Sequence, residues 1–167
     1  MSNTDKNLAA AFAGESQANR KYLAFAKQAE LEGYKQAAKL FRAAAEAETI
    51  HAHTHLKNLG MIKSTAENLK AAIAGENYEW QEMYPGFIKD AEAEQQSAAL
   101  RGFNLANGAE KVHAGLYEKA YNTLDQKEEY RSEERRVGTV CGNIVEKSVP
   151  ESCEICRAKA QAFIKVE

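Results

Sequence analysis

AEAETIHA (residues 45–52) and AEKVHA (residues 109–114) each set a glutamate three residues before a histidine, inside segments of helical periodicity. A three-residue step keeps two side chains on neighbouring parts of one helix face. Glu48 with His51, and Glu110 with His113, can therefore reach one ion or two adjacent ions. Both pairs fall where a helix should bury apolar groups. One row reads Ala37, Phe41, Ala44, Glu48, His51 and His55; the other reads Ala99, Phe103, Ala106, Glu110, His113, Tyr117 and Leu124. A buried, unpaired carboxylate is too costly to keep.

Two further segments behave alike. Glu15 shares a row with Leu8, Phe12, Ala18, Tyr22, Phe25 and Ala29, and Glu79 and Glu82 accompany Trp80, Met83 and Phe87. Inward carboxylates on separate helices point to one shared cation site. Carboxylates and imidazoles without thiolate suit iron or manganese, and zinc is also compatible. A glutamate from each of two helices, plus Glu-x-x-His from each of the other two, is the ligand pattern of di-iron carboxylate bundles.

The punctuation predicts helices over residues 5–32 and 34–59, with Gly33 between them and Gly60 as the stop. Ser64 with Glu67 makes a capping box, so a short helix should run to Ala74 and end at Gly75. A third long helix should start near Glu76, with a kink or a local start at Pro85. The fourth should cover 95–124. The expected fold is an all-α four-helix bundle over 1–124, with a weak internal repeat: each half offers a glutamate helix, then an E-x-x-H helix.

Beyond Leu124 the character changes. Residues 125–136 are dense in charge and read as a linker. Residues 137–167 carry Gly138, Gly142, Pro150, β-branched residues and all three cysteines, Cys141, Cys153 and Cys156. A loop-and-strand domain this small needs a metal to hold a core. An odd cysteine count with a C-x-x-C pair suits a metal knuckle better than a disulfide framework.

Hydrophobic residues at 44% and charged residues at 28% fit a soluble globular chain. The net charge of -2 gives no reason to expect nucleic-acid or anionic-membrane binding. No apolar run reaches membrane-span length and no secretory signal is recognisable, so a cytoplasmic location is expected.

GESQANRKYLAFA (14–26), AEAETIHA (45–52), EWQEMYP (79–85) and AEKVHA (109–114) together resemble the rubrerythrin family in order and spacing. Ferritins and manganese catalases share variants of E-x-x-H but lack this combination with a cysteine knuckle. The resemblance implies a ferritin-like di-iron domain followed by a rubredoxin-like domain. It implies Glu15, Glu48, Glu79, Glu82, Glu110 and His113 as ligands of two iron ions. His51 would exchange with a carboxylate, Glu82, when the redox state changes, and Tyr22 would support the glutamates. The implied activity is peroxidase: hydrogen peroxide is reduced to water, with electrons from NADH through a separate reductase or rubredoxin-type donor. A homodimer is implied as well.

The rubredoxin-like site needs two C-x-x-C knuckles. Cys153 and Cys156 make the second; the first should end at Cys141, but its partner position holds Gly138. Three thiolates cannot form a four-cysteine iron site. Incomplete iron binding, or zinc with water as fourth ligand, is expected instead. The stretch RSEERRVG (131–138) reads the same as the in-frame translation of a common sequencing adapter. The expectation is that it overwrote a cysteine; the alternative is a native linker in a protein without a relay. Recovery of the same eight codons on resequencing the source locus would refute the overwriting.

Two other functions compete with peroxidase: a ferritin-like ferroxidase that handles iron, and a purely structural metal bundle. The cysteine tail favours the peroxidase, since storage needs no electron relay. An apolar core would stabilise four helices without seven polar ligands, which argues against the structural reading.

Overall fold

The computed structural model describes residues 2–125 and 134–166. Most of the expected linker, and Arg131 to Glu133 of the adapter-like stretch, lie outside the described residues. The chain divides into two compact units, Met1–Lys63 and Ser64–Glu167.

The first unit is a helical hairpin. Helix α1 (Asn3–Leu31) opens on a capping box in which the Ser2 side chain accepts from the Asp5 amide while Asp5 accepts from Ser2 N–H. Gly33, at φ +85°, turns the chain into α2 (Lys35–Asn58), and Gly60 at φ +66° follows the end of α2. Both glycines stand in the left-handed region that ends helices. Ala26, Ala29, Ala38, Ala45 and Ala52 are buried between the two helices, which small side chains let pack closely. Buried Asn19 pins the crossing: its Nδ2 donates to the Ala45 carbonyl at 2.7 Å and to Thr49 Oγ1 at 2.9 Å. Tyr22, Phe25 and Phe41 form an aromatic triplet beyond it.

In the second unit, α3 (Thr65–Tyr78) starts at the expected Ser64–Glu67 capping box. It does not end at Gly75. Helical hydrogen bonding continues through Gly75 into a π-helical segment (Glu79–Met83), which passes directly into α4 (Tyr84–Ala93) with Pro85 in its first turn. Pro85 brings no N–H to this junction, so one helical hydrogen bond is missing where the π segment passes into α4. The expected break was thus one glycine inside a longer helix, and the local start falls at Tyr84. Helix α5 (Ser97–Asp125) returns along α3 and α4.

A small antiparallel sheet completes this unit, with strands β1 (Arg135–Gly138), β2 (Ile144–Glu146) and β3 (Phe163–Lys165) in the order β2-β1-β3. Its core gathers Cys141, Cys153 and Phe163, with Leu105 of α5 and Val145, Val149 and Ile155 against it. A Cβ on Gly108 of α5 would stand 2.9 Å from Ile155 Cγ2, so glycine permits that approach. No helix among the described residues is long and apolar enough to cross a membrane.

Candidate metal centre

Three groups of metal-ligating side chains converge among the described residues. Glu15, Glu48 and His51 meet in the first unit; Glu76, Glu110 and His113 meet in the second, as do Cys141, Cys153 and Cys156. Within each group the ligand atoms lie within 4.8 Å of one another.

In the hairpin, His51 Nδ1 is 2.9 Å from Glu48 Oε2 and 3.9 Å from Glu15 Oε1. The first contact spans one helical turn; the second crosses from α2 to α1. Tyr22 packs through its ring on Phe25 and Phe41, with centroids 6.4 and 6.2 Å away.

In the second unit, His113 Nδ1 is 2.8 Å from Glu110 Oε2 and 3.5 Å from Glu76 Oε2. The other ring nitrogen, Nε2, is 2.9 Å from the Gly142 carbonyl. A carbonyl only accepts, so Nε2 carries hydrogen and donates, which leaves Nδ1 as the ring atom that faces the two carboxyls. One ring nitrogen and two carboxyls thus converge on one point. Glu76 Oε2 is sealed from solvent and has no hydrogen-bond partner. Burial, and then the adjoining Glu110 carboxyl, push the Glu76 pKa up to about 7. Glu79, in the π segment, is raised by burial and next by the Glu110 charge. Tyr84 is raised by burial first, then by Glu110, Glu79 and Glu76 in turn. Such a cluster fits a cation, and its oxygen and imidazole donors suit iron.

Of the expected ligands, Glu15, Glu48 and His51 come together, as do Glu110 and His113. Glu79 stands beside the second cluster, and Glu82 is exposed and outside it. Glu76 was not anticipated. It lies directly after Gly75, which looked like a helix end; an unbroken helix would have put Glu76 one turn before Glu79.

The two halves repeat in detail. Phe41 precedes Glu48 by seven residues and His51 by ten; Phe103 precedes Glu110 and His113 by the same intervals. Tyr84, Phe87 and Phe103 form a second aromatic triplet, with centroid separations of 6.2, 6.2 and 5.6 Å against 6.4, 6.2 and 5.6 Å in the first.

The cysteine cluster is buried at Cys141 and Cys153, whose sulfurs are 3.7 Å apart. Burial pushes the Cys141 thiol up to about 12. Burial acts on Cys153 in the same sense, but the amides of Cys156 and Ile155, then the Cys156 and Asn143 side chains, outweigh it and bring Cys153 down to about 7. Asn143, only 1% exposed, donates from Nδ2 to Cys153 Sγ at 3.6 Å and leaves its Oδ1 without a partner. Gly138 stands beside Asn143 and Phe163 with no side chain to offer. Three thiols do not fit the four-cysteine iron of a complete rubredoxin site.

Residues 6–121 match the rubrerythrin family model. Nigerythrin of Nitratidesulfovibrio vulgaris is 37% identical over 177 residues, covering 98% of this chain and 86% of the relative. Rubrerythrin of Porphyromonas gingivalis is 37% identical over 183 residues, covering 98% of this chain and 90% of its own. Solved structures include nigerythrin in a mixed-valence state, with a TM-score of 0.58 at 36% identity over 99% of this chain and 88% of that one. Long helices bearing paired carboxylate–histidine clusters, followed by a small cysteine-bearing sheet, define a ferritin-like protein with a rubredoxin-like tail. The chain belongs to the rubrerythrin family. That membership makes it a di-iron oxidoreductase of oxidative-stress defence.

Proposed function

We propose that this chain is a peroxidase that reduces hydrogen peroxide to water at a di-iron site, with NADH as the ultimate electron source through a reductase or a rubredoxin-type donor. The carrying observation is the repeated cluster: each half gathers Glu-x-x-His and a further glutamate around one point. Two bound iron ions supply a reversible two-electron valence change. The chain's own groups do the rest. Glu48 and Glu110, each hydrogen-bond close to its histidine, are the inward carboxylates that hold the ions. Glu15 and Glu79 are the further carboxylates of their halves. The Gly142 carbonyl holds the His113 ring by its Nε2–H, so Nδ1 is left to bind. Glu82 and His51 are both exposed and free of tight packing, which suits a pair that trade places as ligand. Two protons accompany two electrons for each peroxide.

The domain limits proposed are 1–124, 125–136 and 137–167. A homodimer in the cytoplasm is proposed with them, with neither nucleic acid nor membrane as partner. The three-cysteine tail favours one alternative, a ferritin-like ferroxidase, because an incomplete relay weakens the case for electron delivery through this chain's own sulfurs.

The test loads the full chain with iron, reduces it without oxygen and adds hydrogen peroxide. Two electrons consumed per peroxide, with turnover sustained by NADH, reductase and rubredoxin, is the expected result. Mineral build-up from excess ferrous iron, with no sustained turnover, would favour the ferroxidase.

A further inference from the structure

We infer that the cysteine tail is a three-thiolate metal site whose fourth position, beside Gly138, takes a small thiol from outside the chain. The inference concerns the tail alone and does not rest on the peroxidase reading.

The sulfurs have the spacing such a site needs. Cys141 Sγ and Cys153 Sγ are 3.7 Å apart, and the Cys156 sulfur lies within 4.8 Å of both. Zinc–sulfur bonds of about 2.3 Å at tetrahedral angles put neighbouring sulfurs about 3.8 Å apart. A tetrahedron has four corners, and among the described residues this group offers three ligands. Zinc with three protein ligands keeps its fourth position for an outside one, and an ion that thiolates select favours sulfur there.

The space for that sulfur is at Gly138. Gly138 precedes Cys141 by three residues, as Cys153 precedes Cys156. A Cβ on it would meet Phe163 Cε1 at 3.4 Å and the Asn143 carbonyl oxygen at 3.6 Å, both ordinary contacts. A cysteine side chain is a methylene and a sulfur, and a small alkyl thiol carries the same two groups. Asn143 borders both sides of this place. Its carbonyl accepts from Gly138 N–H at 2.8 Å, its Nδ2 donates to Cys153 Sγ at 3.6 Å, and its Oδ1, sealed from solvent, has no partner. A thiol that also carries a hydroxyl can offer the donor which that oxygen lacks. Binding forms one metal–sulfur bond and releases any water from that position. The thiol's proton passes to solvent, and no electron moves.

Cobalt(II) is the probe metal and 2-mercaptoethanol the probe thiol. Cobalt(II) adopts the tetrahedral geometry of zinc among thiolates, and its sulfur-to-metal absorption grows with each thiolate bound. The oxygen and imidazole donors of the helices give no such band, so the signal reports the tail. The cobalt-loaded full chain should show a three-thiolate band. That band should rise by about one third, saturably and with one thiol per chain, as a fourth sulfur joins the three. In Gly138→Ala the methyl group takes the place of the thiol's carbon, so the three-thiolate band should stay and the rise should vanish. Gly138→Cys should start at the four-thiolate intensity and give no response. A parent band that ignores the thiol overturns the inference, and so does a parent with no thiolate band. An equal rise in Gly138→Ala would overturn the assignment to Gly138. None of these results bears on the carboxylate–histidine clusters, so the peroxidase reading stands or falls separately.

Discussion

Glu76 carries a cost in the metal-free chain that a glutamine at the same place would not. Burial and the Glu110 carboxyl raise it from an ordinary 4.5 to about 7. A raised carboxyl binds its proton more tightly in the folded state than in the unfolded one. Its contribution to stability is therefore fully present below about pH 4.5 and declines as pH rises to about 7. Removing it should leave the metal-free fold unchanged near pH 4.5. Above pH 7, Glu76→Gln should be more stable by roughly 2–3 kcal/mol, at about 1.4 kcal/mol for each unit of pKa. Urea unfolding of the metal-free parent and variant at the two pH values checks this; equal stability at pH 8 would contradict it. The second single-residue question is Gly138. A Cβ there would meet the Phe163 ring at 3.4 Å and the Asn143 carbonyl at 3.6 Å, both ordinary contacts. Gly138→Cys should therefore fold, complete a four-thiolate set and add one iron per chain with a red thiolate-to-iron absorption. Iron analysis and a visible spectrum read it; the absence of a new band would count against the knuckle reading.

Among the elements, the signals that rest on local chemistry were the most legible. The Ser64–Glu67 capping box and the glycines after α1 and α2 stand where their side-chain and φ preferences required. Gly75 misled because a glycine inside a helix costs only about 1 kcal/mol, which packing along α5 can offset. The π segment was not read from the sequence; the one local irregularity beside it is Pro85, which brings no N–H to the helix just after it. Glu76 was hidden by that same misreading. The tail offers a packing test of another kind. Gly108 and Ile155 meet at a distance that leaves no room for a methyl group. Gly108→Ala should loosen the contact between α5 and the cysteine loop by about 1–3 kcal/mol, the usual cost of overpacking. The double change with Ile155→Ala should recover part of it. Limited proteolysis of the tail reads both, and equal cleavage of parent and Gly108→Ala would exclude the effect.

For the whole chain, the fold class and the two Glu-x-x-His pairs were readable because a binding helix has to break its own apolar pattern to bring charge inward. Three of the four glutamates that converge were legible on that ground, and so were both histidines. The fourth depended on continuity between two helices. The close match of the two aromatic triplets goes beyond the weak repeat visible in the sequence, since ring spacing is a property of packing rather than of order along the chain. The π segment upsets that symmetry on one side only. Halves that share a plan but differ in donor number should not hold their cations equally well, so occupancy ought to rise in two stages, the acid-rich half first. A chain carrying a single ion would then be a genuine species at low supply, able to bind yet one electron short of a two-electron reaction.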